Sequence, residues 1–404
     1  MIPAAKIRRL LTVGTLGVAT ALAVTATAGA SPNPSSNPSS NTSSKADHQV
    51  KPSSDSLRAL ASKIGLRIGT AVDMAKLNVD PTYTGIVADQ FSTVTPENVM
   101  KWDTTEPSPG QYDYSQGDAL VKFAEAHGQV VRGHTLLWHN QIPSWITDGV
   151  SNGTISDVQL KTILQQHITS EVSHFKGEIW QWDVANEFFT DSNPSITNPN
   201  DFWIQHLGTG VIADAFHWAH QADPHALLFY NDYNIAGEDG SNAKSDAVYA
   251  FVKQLRAQGV PIDGVGNQGH LDTQYGFSGA RMQQDLQRYA DAGFKVAITE
   301  ADVRTFVDNA TDQMPTDSLA QFAQPYEFSQ MLKACLAVRD CISFTVWGVY
   351  DGDSWIPGFF SNPQEGYALL YDVNMAPKAA YTDLQQDLAL AAYGAPHRGG
   401  AGAH

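Results

Sequence analysis

Cysteine and positive charge are scarce in this chain of 404 residues. It has two cysteines, Cys335 and Cys341, no HExxH pattern and no clustered Cys/His spacing. No metal is therefore expected, and no cofactor. Lys and Arg together number 25 against 42 Asp and Glu, a formal net charge of −17, which argues against nucleic acid or an anionic membrane as a partner. No Gly-rich phosphate loop follows the first strand candidate, which counts against an open doubly wound sheet. No Ser/Pro/Gly-rich break interrupts residues 57–393, so one domain is expected there.

What is present begins with a leader. Lys6, Arg8 and Arg9 precede an apolar stretch from Leu10 to about Val24, and Ala28-Gly29-Ala30 offers a small-residue cleavage site. Thr and Gly interrupt that stretch, so residues 1–30 read as a secretory signal peptide rather than a membrane anchor, and the arginine pair leaves a twin-arginine route open. Its removal takes away three cations and moves the net charge from −17 to −20. Residues 31–56, rich in Ser, Pro and Asn, bury too little apolar surface to fold and read as a disordered linker. Residues 394–404 read as a flexible tail. A secreted, extracellular monomer is expected, in which Cys335 and Cys341 oxidise to a disulfide at the start of the last strand.

From residue 57 onward, strand-like and helix-like segments alternate. The strand candidates are residues 66–72, 91–102, 130–139, 179–187, 226–234, 264–270, 294–300 and 341–348. Helical spacing predicts helices near 56–65, 118–127, 156–175, 210–222, 241–258, 279–292, 325–338 and 378–393. Eight βα units point to the α/β class and a single closed (β/α)8 TIM barrel over 57–393. Asn98, His134, Glu187, Asn231, His270, Glu300 and Trp347 all fall at the C-terminal ends of strand candidates, the face where such barrels carry their sites.

Two of those residues suit one reaction. WDVANE ends at Glu187 and KVAITE, 113 residues later, at Glu300. A lone glutamate is ordinarily a solvated charge, whereas two that close apolar strands are placed as the acid and the partner that glycosidic-bond cleavage needs. Sugars present flat C–H faces, so aromatic platforms are also wanted. Trp347 and Trp355 sit beyond the last strand and fit that need, whereas Trp180, Trp203 and Trp218 are expected in the core.

WDVANE and ITEAD, with RGHTLLWH, GNQGH and VWGVYDGDSW, closely resemble the endo-β-1,4-xylanases of glycoside hydrolase family 10, in order from about residue 57 to 392. The resemblance implies a retaining double displacement with Glu187 as acid/base and Glu300 as nucleophile, their carboxyl groups about 5–5.5 Å apart. It further implies that His270 and Asp302 hold the nucleophile ionised, that Asn186 meets the sugar 2-hydroxyl and that Gln268 bonds near the acid/base. His134, Trp138 and Lys101 would surround the cleaved sugar, Glu97 and Asn98 would contact the next one, and Trp347 and Trp355 would roof the cleft. Tyr233 is a softer candidate on the leaving-group side, with core packing as its alternative. Xylan and xylo-oligosaccharides are the implied partners.

Ala185 and Ala301 depart from the larger residues common there, trimming packing beside the two catalytic strands. A β-1,4-glucanase on the same scaffold and a non-catalytic polysaccharide-binding barrel are the competing readings; the retained carboxylate pair speaks against the second.

Overall fold

The computed structural model describes residues 52–238, 242–308, 314–361 and 364–394. The leader, most of the linker and all but the first residue of the tail lie outside the described residues. Residues 52–56 are not linker: Ser53 bonds Asp89 through its amide and its hydroxyl, each at 2.7 Å, and Ser56 caps the first helix, Leu57–Ser62.

Eight parallel strands close on themselves. In chain order they are β1 (Arg67–Val72), β2 (Thr93–Pro96), β3 (Val130–Leu137), β4 (Ile179–Asn186), β5 (Leu227–Asp232), β6 (Gly264–Asn267), β7 (Lys295–Phe306) and β8 (Cys341–Val346). Each pairs with the next, and β8 returns to β1 through Ile68 opposite Phe344, which completes the expected barrel. The helices form the outer layer. Asp157–His174 shows how the sequence sets one: Ser156 accepts from the Gln159 amide while the Gln159 side chain answers the Ser156 amide, and Leu160, Leu164, Ile168 and Val172 turn inward. Cys335 and Cys341 form the expected disulfide, with sulfurs 2.03 Å apart.

Several elements differ from the sequence reading. Strand β7 does not stop at Glu300; it continues to Phe306, because residues 270–272 form a short strand that pairs with Asp302–Arg304. The predicted sixth strand is correspondingly split: Gly269 has φ +77°, and the chain turns there before resuming at His270. The helix expected from residue 325 starts at Ser318 and runs through Pro325. A helix at Pro81–Gln90, capped by Asp80, carries little periodicity and was not foreseen, nor was the hairpin of Phe189–Thr190 and Asn193–Thr197. Trp203 and Trp218 are core residues as expected, but Trp180 is only partly buried, with the Arg67 guanidinium 4.9 Å above its ring.

Candidate active site

Close packing between strands sets the mouth of the barrel. A Cβ on Gly133 of β3 would lie 2.2 Å from the Trp182 ring, and one on Gly266 of β6 would lie 2.4 Å from Asn231 Oδ1. The second glycine leaves the space that the Asn231 amide occupies as it reaches into the mouth. Asn231 Nδ2 donates to Glu300 Oε1 at 2.7 Å and to Asn186 Oδ1 at 2.9 Å, and Thr299 Oγ1 holds the other end of the amide at 2.7 Å.

Glu300 is almost completely buried. Arg132 Nη2 lies 3.5 Å from its Oε1 and His270 Nε2 lies 3.4 Å from its Oε2. Burial alone would raise the carboxyl's pKa, but the His270 hydrogen bond and the charges of His134, His270 and Arg132 outweigh it and hold the group at about 2. His270 is stabilised in turn. Burial opposes its charge, yet Asp302 Oδ2 at 3.0 Å and Glu300 lift it to about 10. Trp355 Nε1 donates to the same Asp302 oxygen at 2.9 Å.

Glu187 stands one residue past β4 with φ +61°, a left-handed conformation that costs a non-glycine residue roughly 1–3 kcal/mol. Its amide bonds Asn231 O at 3.0 Å, which helps hold that turn. Its carboxyl accepts from Trp138 Nε1 and from Gln268 Nε2, each at 2.8 Å. Gln268 Nε2 also reaches Asn186 Oδ1 at 3.3 Å. An unbroken run of side-chain amides therefore joins the two carboxylates: Glu187, Gln268, Asn186, Asn231, Glu300. Asn186 Nδ2 is buried and has no protein partner, so it is available to a ligand hydroxyl.

The structure gathers the other predicted residues at this mouth. Lys101 is not a surface ammonium. It is buried, bonds Asn98 Oδ1 at 3.2 Å and lies 5.0 Å from the Trp138 ring. Burial lowers its pKa, against the opposing fields of Glu300, Glu97 and Glu187. Glu97 is pushed up to about 7 by burial and by Asp353 and Asp73. His134 contacts Asp183 Oδ2 at 2.9 Å and meets Trp347 edge-on at 5.2 Å. Tyr233 is partly exposed, with Lys244 Nζ 3.2 Å from its ring centroid. Ala185 and Ala301 are fully buried behind the site. His134, Asp183 and Glu300 converge closely enough to ligate a cation, but the Arg132 guanidinium already pairs with both carboxylates of that trio.

Residues 56–387 match the family described as Glycosyl hydrolase family 10. The chain belongs to this family. It is 39% identical over 332 residues to endo-1,4-beta-xylanase A of Phanerodontia chrysosporium, covering 81% of this chain and 76% of that one. An endo-1,4-beta-xylanase of Agaricus bisporus is 38% identical over 80% of this chain and 92% of its own. Among solved structures, xylanase 10B of Thermotoga petrophila in complex with xylobiose superposes with a TM-score of 0.76 at 36% identity, over 83% of this chain and 98% of that chain.

Sequence reasoning missed three contributors to this family 10 site. Arg132 and Asp183, both buried, form an ion pair beneath Glu300, and Arg132 Nη1 also donates to Thr299 O at 2.7 Å. Their signal was visible as two opposite charges inside apolar strand runs, where a charge is rarely found unpaired. Losing either partner of such a pair costs about 3–5 kcal/mol. Lys244, on a helix, pairs with Asp232 at 2.9 Å and backs Tyr233, and its sequence position gave no sign of this.

Proposed function

We propose that the chain is an endo-1,4-β-xylanase that hydrolyses internal bonds of xylan with retention of configuration. The observation that carries the reading is the environment of the two carboxylates: Glu300 is held ionised by cations, and Glu187 is oriented by two neutral N–H donors. In the first step a Glu300 oxygen attacks the anomeric carbon, the glycosidic C–O bond breaks, and Glu187 gives its proton to the departing oxygen. In the second, the Glu187 carboxylate takes a proton from water, whose oxygen displaces Glu300 from the same carbon. The free Asn186 Nδ2 meets the sugar 2-hydroxyl, and Lys101, His134 and Trp138 surround the reacting sugar. Glu97 and Asn98 hold the next sugar; Trp347 and Trp355 cover the chain.

Its site of action is outside the cell, a reading that rests on the leader sequence and the disulfide. Digestion of xylan and of carboxymethylcellulose with product analysis tests the function. Short xylo-oligosaccharides released as β-anomers are expected; a preference for cellulose overturns the xylanase reading, and α-anomers overturn retention.

A further inference from the structure

We propose that the groove between the helices Ser318–Ala337 and Ala379–Gly394 is a second binding site for xylan, on the outer helical layer and separate from the barrel mouth. The inference rests on the reading of the chain as a xylan hydrolase.

The groove encloses about 290 Å³ and is lined by Phe322, Tyr326, Gln330, Lys333, Asp383 and Gln386, among others. Phe322 and Tyr326 lie one helical turn apart, with ring centroids 5.9 Å apart and planes 17° from parallel. They are 68% and 48% exposed. Two near-parallel rings left in water on a helix surface call for a ligand with a flat apolar face.

The rest of the groove supplies polar edges. Lys333 Nζ bonds Ser329 Oγ at 2.8 Å and pairs with Asp387 Oδ1 at 3.2 Å, while Ser329 Oγ donates to Asp387 Oδ2 at 2.6 Å. Ser329 and Asp387 are buried, so this network forms a fixed floor, and the half-exposed Lys333 rises from it. Gln386 is exposed and Asp383 partly so. Aromatic faces bordered by amide, ammonium and carboxylate groups are the chemistry that sugar C–H faces and hydroxyls require.

Charge selects the same occupant. A second copy of the chain carries a formal net charge of −17 and would bring that charge to the carboxylates of Asp383 and Asp387, whereas a neutral polymer is indifferent to it. An apolar protein surface would have to desolvate Lys333 and the Asp383 carboxylate. For an enzyme acting on a long chain, a second contact makes engagement of the cleft effectively intramolecular.

The test uses the full chain. In a Glu300→Ala background, Phe322→Ala/Tyr326→Ala should raise the dissociation constant for insoluble xylan roughly tenfold, and Phe322→Trp, with its larger ring, should lower it. With Glu300 intact, the double variant should hydrolyse xylotetraose at the wild-type kcat/KM. Adsorption unchanged in both variants overturns the proposal. So does sedimentation showing a wild-type dimer that the double variant dissolves, because the groove is then a self-interface. Failure of the wild type to cleave xylotetraose overturns the xylanase reading instead, which keeps the two failures distinct.

Discussion

Glu300 and Glu187 bring the same carboxyl group to the same barrel mouth and receive opposite treatment. Glu300 lies within a continuous strand and is buried, with Arg132, His134 and His270 lowering its pKa to about 2. Glu187 lies just beyond its strand, partly exposed in a left-handed turn, and its hydrogen-bond partners are the neutral Trp138 and Gln268. In the proposed mechanism the nucleophile must be ionised when it attacks and leaves again as a carboxylate, and cations within 3.5 Å favour that charged form. The acid/base must change charge twice in each cycle, so it is positioned by donors that bring no charge of their own.

Removing each carboxylate is the hardest test of that contrast. Glu300→Ala should lower kcat on xylan by on the order of 10⁴-fold or more, with adsorption to xylan kept. Near-full activity would take the nucleophile role away from Glu300. Glu187→Ala should be selective: a loss of about 10²–10⁴-fold on xylan, whose leaving group needs a proton, and much less on activated aryl xylosides. Equal losses on the two substrates would erase the distinction between the carboxylates.

A milder change addresses the cations. In His270→Ala, Glu300 loses the hydrogen bond that does most to offset its burial, so its pKa rises from about 2. The group must be ionised to attack. The acid limb of kcat/KM therefore moves to higher pH, with a loss of about 10–100-fold at pH 5 that narrows toward neutrality. His270 itself stays protonated up to about pH 10, so it leaves the wild-type profile unchanged near neutrality. An acid limb at the wild-type position would show that Arg132 and His134 suffice.

The contrast was half legible in the sequence. Barrel periodicity and polar strand ends located both glutamates, because strands and helices alternate and interior positions are apolar. The environment of Glu300 was less visible, since Arg132 and Asp183 sit one strand apart and meet only through the register that places His134 opposite Asp183. Asn231 was visible as a polar strand end, but its role depends on the space above Gly266. The extension of β7 past Glu300 was hidden for a related reason: its partner is the segment after the Gly269 turn, and a sequence window does not show pairing between distant segments.

The smallest expected effect comes from the opposite end of the barrel. Cys341 opens β8, so its disulfide with Cys335 lies at the N-terminal end of that strand, away from the mouth. In (β/α)8 barrels that end serves stability and the other serves chemistry. The closed loop is short, with a sequence separation of 6, and a loop of that size constrains the unfolded chain by only about 2 kcal/mol. Replacing both cysteines with serine should therefore lower Tm by a few degrees while kcat on xylan at 25 °C and its acid limb stay at wild-type values. His270→Ala, by contrast, should shift the pH profile as well as lower Tm, because it leaves the buried Asp302 without its cation. If the serine variant lost activity in proportion to stability, strand β8 would be transmitting strain to Trp347 at its far end, and the two ends of the barrel would not be separable.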